Sequence, residues 1–166
     1  PDGSASKPSP LDQLAAKVRP LRPEILHIAA KNGAMVNPLA EKHPLLRIEF
    51  ISIASSVTDS ELGRLLPPVR NNVTQLDLSR TKISDKGIIT VGKCSNLTYL
   101  NLSHTEAGND ALDGLRNLEN LWYLNLLHTK VTDRGLSTLA EIKSLKEIYL
   151  WQSAVTASGV QELRAA

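Results

Sequence analysis

The chain has 166 residues, 42% of them apolar and 22% charged, which fits one globular domain and leaves little room for a second core. A formal net charge of +2 without a Lys/Arg run gives no electrostatic footprint for nucleic acid, and no apolar stretch is long enough for this segment to insert in a membrane. The single cysteine, Cys94, excludes an internal disulfide and any Cys-x-x-Cys motif for metal or haem attachment.

In chain order, the segment from Pro1 to Pro8 lacks the hydrophobic stretch of a signal peptide and reads as the cut end of a longer protein or a processed form. Residues 1–20 are expected to be a disordered or linker segment, Pro/Ser-rich at the start with little to bury. Residues 21–46 read as an N-terminal helical cap. Pro23 opens a helix that runs to Lys31 and stops near Asn32-Gly33, and Ala34-Met35-Val36 makes a candidate short strand before Pro38. The stretch from Leu46 through Ile48 to Phe50 predicts a strand, followed by a bulge or longer turn over Ile51 to Ser56. Thr58 and Glu61 then stand at capping-box spacing for the next helix.

From here the chain repeats. Leu76, Leu100, Leu124 and Ile148 each begin a similar segment, 24 residues apart. In each, two apolar residues alternate with an outward one, as in Leu100-Asn101-Leu102, which predicts a short strand with an inward and an outward face. A hydroxyl follows at Thr81, Thr105, Thr129 and Ser153, able to bond the turning backbone. Ser84-Asp85 and Thr132-Asp133 suit helix starts, where the aspartates also favour the dipole. Gly87, Gly135 and Gly159 are expected to let the helix start lie close to the sheet, with Ala111 as the small residue in the remaining unit. Leu112, Leu115 and Leu118, or Leu136, Leu139 and Ile142, then form an inward helical face. One strand and one helix cannot bury their own apolar side, but stacked copies can. The expected fold is therefore an α/β leucine-rich-repeat solenoid, with a curved parallel sheet on the concave side and helices on the convex side. Residues 47–166 would form about five units.

Function in such an array is expected on the concave sheet face. Its rows are Gln75, Asp77, Ser79; Tyr99, Asn101, Ser103; Tyr123, Asn125, Leu127; and Glu147, Tyr149, Trp151. Four of the six Phe/Trp/Tyr residues fall here, toward the C-terminal half, and Tyr and Trp are enriched at binding hot spots. Aromatics also favour strands and pair with neighbours, so packing competes as an explanation. The candidate partner-binding set is Tyr99, Asn101, Tyr123, Asn125, Leu127, Glu147, Tyr149 and Trp151.

His104 and His128 share a column but lack a repeating third ligand, which favours turn residues over a metal site. Cys94 occupies the slot of Leu118 and Ile142 and reads as a small core hydrophobe. Trp122 falls at a strand-edge position expected to be partly exposed. No Gly-x-Ser-x-Gly, phosphate loop or His-Glu-x-x-His is present, and the recurring aspartates read as architecture, so no catalytic residues and no cofactor are expected.

The units starting at Leu124 and Ile148, with Tyr149-Leu150-Trp151-Gln152 in the last, look like bacterial leucine-rich repeats. Together with the cap segments Arg22 to Leu26 and Pro44 to Phe50, they resemble the C-terminal repeat region of planctomycete- and bacteroidete-type membrane-anchored c-type cytochrome proteins. That resemblance, over residues 20–166, implies a periplasmic or cell-surface module of a larger redox protein. The chain itself has no Cys-x-x-Cys-His and holds no haem. The expected function is non-catalytic interaction with a protein partner or a neighbouring domain through the concave face. Glycan or peptide binding on the aromatic patch and a structural spacer are the alternatives.

Overall fold

The computed structural model describes residues 7–31 and 33–166. Its N-terminal part holds two helices, α1 (Pro10–Ala15) and α2 (Pro23–Lys31), then strand β1 (Met35–Pro38). Strand β2 (Leu46–Glu49) is followed by a 3-10 turn at Ala54–Ser56 and helix α3 (Asp59–Leu65). Strand and helix then alternate: β3 (Val73–Asp77), α4 (Asp85–Val91), β4 (Tyr99–Asn101), α5 (Asn109–Leu115), β5 (Tyr123–Asn125), α6 (Asp133–Glu141), β6 (Glu147–Tyr149) and α7 (Ala157–Ala165). The six strands form one open sheet in sequential order. Its register is that of the repeat, with Leu76, Leu100, Leu124 and Ile148 paired in turn. The pairs from β2 onward are parallel, whereas β1 joins antiparallel, as a short connection from the cap requires.

The expectation for the N-terminal segment is revised. The segment 1–20 is not a plain linker. Helix α1 forms within it, closed by a capping box in which the Ser9 hydroxyl accepts from the Asp12 N–H and the Asp12 carboxylate accepts from Ser9. Leu14 is buried, and Asn72 donates to the carbonyls of Arg19 and Pro44, pinning the chain after α1 to the array. The Pro1 to Ser6 portion of that expectation lies outside the described residues. The first repeat unit is also longer than the rest: Ile48 pairs with Leu76, and the register shifts between Leu46 and Arg47. The turn and 3-10 segment before Val57 accommodate part of the excess, as expected, and the rest falls in the loop before β3.

A single apolar core runs from Ala34 to Ile142 between sheet and helices. Leu100, Leu102, Leu112, Leu115, Leu118, Leu124 and Leu126 in it are fully buried. Each such leucine contributes about 1.5–3 kcal/mol relative to exposure. Cys94 is buried among them as its slot implies, and burial pushes its thiol up to about 12. No helix among the described residues is long and apolar enough to cross a membrane.

The helix starts are joined to each other rather than to the sheet. Asp59 accepts from the Ser84 N–H and hydroxyl, Asp85 from the Gly108 N–H, Asn109 from the Thr132 N–H, and Asp133 from the Thr156 N–H and hydroxyl. The recurring acidic residue is thus an inter-unit bridge as well as a first-turn residue. This also corrects the reading of the glycines. A Cβ on Gly87, Gly135 or Gly159 would lie 2.3, 2.6 or 2.1 Å from Asp59, Asn109 or Asp133 respectively, all in the preceding unit, so the close approach is helix start to helix start.

Candidate functional site

The sheet face turned away from the helices carries the residues singled out above. Tyr99 and Tyr123, paired in register across β4 and β5, stack with ring centroids 4.3 Å apart and planes 12° apart. Tyr149 leans on Tyr123 at 5.3 Å, and Trp122 meets Tyr123 edge-on at 5.9 Å. Tyr99 is half-buried in this stack. Lost hydration, then the Tyr123 and Asp77 charges, push its phenol up to about 12.

Asn101 and Asn125 lie side by side, but their side chains are engaged. Each oxygen accepts the backbone N–H two residues on, from Ser103 at 3.0 Å and Leu127 at 2.9 Å, closing the strand into its turn. Asp77 does the same for Ser79, and the Asn101 amide donates back to Asp77 at 2.9 Å. Asn101 therefore has its oxygen and one amide hydrogen committed to the scaffold. Tyr149 stands in the same column, where the ladder of short polar side chains ends.

Leu127 is half-buried, and Glu147 is exposed at the start of β6 opposite Tyr123. Trp151 is 74% exposed and Tyr149 48%. The Trp151 carbonyl accepts from the His128 N–H at 2.9 Å, which ties this turn to the preceding unit while the indole stays exposed. The eight candidate residues thus fall on one face as two groups: a packed central set and an exposed aromatic shelf at β6.

Sequence reasoning missed the opposite end of this face. Arg47 and Glu49 on β2 pair with Gln75 and Asp77, and β1 adds Met35 beside Glu49. The alternation that identified the strand at Leu46 to Phe50 also marks Arg47 and Glu49 as outward. Two clefts of about 240 and 320 Å³ open here, both lined by Glu49 and Asp77. A third, of about 510 Å³, lies between α1 and Trp122, which is 40% exposed as its edge position implied.

The histidine column is explained by backbone geometry. Arg80, His104, His128 and Gln152 all adopt positive φ, from 54° to 61°, in the turn after each strand. The His104 and His128 rings sit 4.9 Å apart, tilted by 32°. Among the described residues, no group of three or more His, Cys, Asp or Glu side chains is placed to hold a metal.

Sheet order, register and the repeated turn define an α/β leucine-rich-repeat solenoid. A leucine-rich-repeat family model matches residues 70–92 and 93–113, the units of β3 and β4. No curated protein sequence matches the chain. Among solved structures it is similar to leiomodin-1 actin-binding site 2, with a TM-score of 0.57 and 16% identity over 96% of this chain and 87% of that one. At that identity the likeness concerns the fold.

Proposed function

We propose that this chain is a non-catalytic protein-interaction module that docks a protein partner, or a neighbouring domain of its own polypeptide, on the open sheet face. The observation that carries this reading is the aromatic shelf: Tyr149 and Trp151 are solvent-exposed on β6 and the turn after it, next to a stacked tyrosine pair. Tyr and Trp offer large contact areas for few rotatable bonds and form typical anchors. The likeness in fold to a protein named for binding actin is consistent with an interaction scaffold and does not extend to actin as a partner. The glycan reading is weakened by the hydrogen bonds already made by Asn101 and Asn125.

The test compares affinity capture by the wild-type chain with Tyr123→Ala and Trp151→Ala, each first checked for folding by circular dichroism. Specific partners should be lost from both variants. Retention of the same partners by folded Trp151→Ala would sink the proposal.

The extracytoplasmic, redox-linked setting rests on the resemblance of the repeats and cap to the cytochrome-associated group. Sequencing the full-length gene tests it. An upstream Cys-x-x-Cys-His supports that setting, and a complete reading frame without one removes it.

A further inference from the structure

The backbone hydrogen bonds between units run in series and stop at β6. The N–H groups of Leu78, Leu102 and Leu126 donate to the carbonyls of Asn101, Asn125 and Tyr149, each in the following unit. Those of Arg80, His104 and His128 donate in the same way to Ser103, Leu127 and Trp151. Leu150 and Gln152 hold the next positions of the two series, and their N–H groups meet no acceptor among the described residues. The carbonyls behave alike: Thr74, Thr98 and Trp122 accept from the unit that follows, and Lys146 accepts from none among the described residues. The Ile148 carbonyl shares this edge, because backbone groups alternate sides along a strand. The apolar layer behind the edge is open too. Leu136 and Leu139 are 4% and 2% exposed, whereas their counterparts Val160 and Leu163 are half-buried, as are Ile148 and Leu150.

The unit of β6 is not built to carry a further repeat. Asp59, Asp85, Asn109 and Asp133 each hold the helix start of the unit that follows, and Ala157 stands in that slot with no group to do so. We infer that the β6 edge pairs with the β6 edge of a second copy, antiparallel about a two-fold axis that sets Tyr149 opposite Tyr149 of the second copy. In that register the Leu150 N–H reaches the Ile148 carbonyl of the second copy, and the Gln152 N–H reaches its Lys146 carbonyl. Symmetry makes each bond twice. The adjacent registers either direct the Leu150 N–H at a carbonyl that already accepts the Ser153 N–H and hydroxyl, or carry Gln152 past the start of the strand. The side chains agree with the pairing. On the outer face the tyrosine column continues across the axis, Glu147 lies opposite Trp151 and Lys146 opposite Gln152, so no like charges oppose. On the inner face Ile148 lies opposite Leu150, and both copies keep α7 on the same side of the joined sheet. The pairing uses the strand edge, so it stands or falls apart from the docking of a partner on the sheet face.

Sedimentation of the full chain should show its average mass rise from the monomer value toward twice that between about 1 µM and about 1 mM. Tyr149→Lys, at an exposed position, sets two ammonium groups face to face at the axis. It should keep its circular dichroism and weaken dimerisation by roughly tenfold. Tyr149→Cys reads the register. Opposite residues of a non-hydrogen-bonded pair have Cα atoms about 4.5 Å apart, within disulfide reach, so oxidised glutathione should link two copies. In Trp151→Cys the two thiols stand about 13 Å apart along the strands and should stay unlinked, as should the buried Cys94 of the wild-type chain. A mass fixed at the monomer value up to about 1 mM overturns the inference. So does a dimer that Tyr149→Lys leaves unchanged, or one in which Tyr149→Cys links no more readily than Trp151→Cys.

Discussion

Tyr99 sits against Tyr123 with part of its phenol withdrawn from water, and that position has a measurable consequence. An ordinary tyrosine ionises near 10, whereas burial and the neighbouring charges hold Tyr99 neutral to about 12. The fold favours the protonated form, so this contribution is fully present below about pH 10 and is lost as pH rises toward 12. Absorbance titration at 295 nm should show one of the three tyrosines ionising late, and Tyr99→Phe should remove that step. A single common titration would contradict the stacked burial. Thr105 makes a second residue-scale case. Its hydroxyl donates to the buried Leu102 carbonyl at 2.7 Å and repeats the bonds of Thr81, Thr129 and Ser153. Thr105→Val keeps the shape and leaves that carbonyl without its partner. It should cost about 1–3 kcal/mol in denaturant unfolding, with the fold retained.

At the scale of elements, the helix starts are where the units are fastened together. Gly135→Ala would place a Cβ 2.6 Å from Asn109 Oδ1, which holds the Thr132 N–H, and 2.7 Å from the buried Leu112 side chain, so one or both must give way, at a cost of about 1–3 kcal/mol. Gly63 in α3 is the control: no atom lies within 4 Å of its added Cβ, and Gly63→Ala should stabilise by about 0.5–1 kcal/mol. Equal effects of the two on the melting midpoint would show that the bridges are not tight. The unit beginning at Gly108 fits the same geometry by exchange. It lacks the hydroxyl at the helix start, and Ala111 replaces the glycine three positions on. Asp133 adds a pH dependence. The Thr156 hydroxyl, then its N–H, hold the Asp133 carboxyl below the usual carboxylate range. That fastening is present above the ordinary Asp value near 3.8 and is lost as pH falls through the lower folded value. The protection factors of α7 amides, corrected for intrinsic exchange, should therefore fall as pH drops below the ordinary Asp value.

Across the whole molecule, burial is graded. The slots filled by Leu124, Leu126 and Val131 are fully buried in the fifth strand's unit, whereas their counterparts Ile148, Leu150 and Val155 are only partly covered. Stability in a repeat array is a sum of unit and nearest-neighbour terms, so the unit with one covered side opens most easily. Native-state exchange should show the least protection in β6 and α7 and the most in β3 to β5. Uniform protection would mean that the array unfolds only as one block. This gradient also places the aromatic shelf on the least buttressed strand, where docking a partner would add protection by mass action. The N-terminal part contributes at the same scale: Asn72 holds the chain after α1, and α1 lies along the strand starts near Trp122.

The 24-residue spacing determined the strand order, the helix positions, the buried Cys94 and the outward column, because periodic burial leaves a period in the sequence. The capping box at Thr58 and Glu61 was equally legible, since it is local chemistry over four residues. What the tertiary structure decided depends on contacts between units. The glycines face the preceding helix start, Asn101 is committed to Asp77 and Ser103, and Glu49 pairs with Asp77 in the regular stretch that follows the register shift between Leu46 and Arg47. Helix α1 was missed because its six residues bury little beyond Leu14 and take their place from the array they pack on. Local pattern specifies each unit, and only stacking the units determines which polar groups remain free to meet a partner.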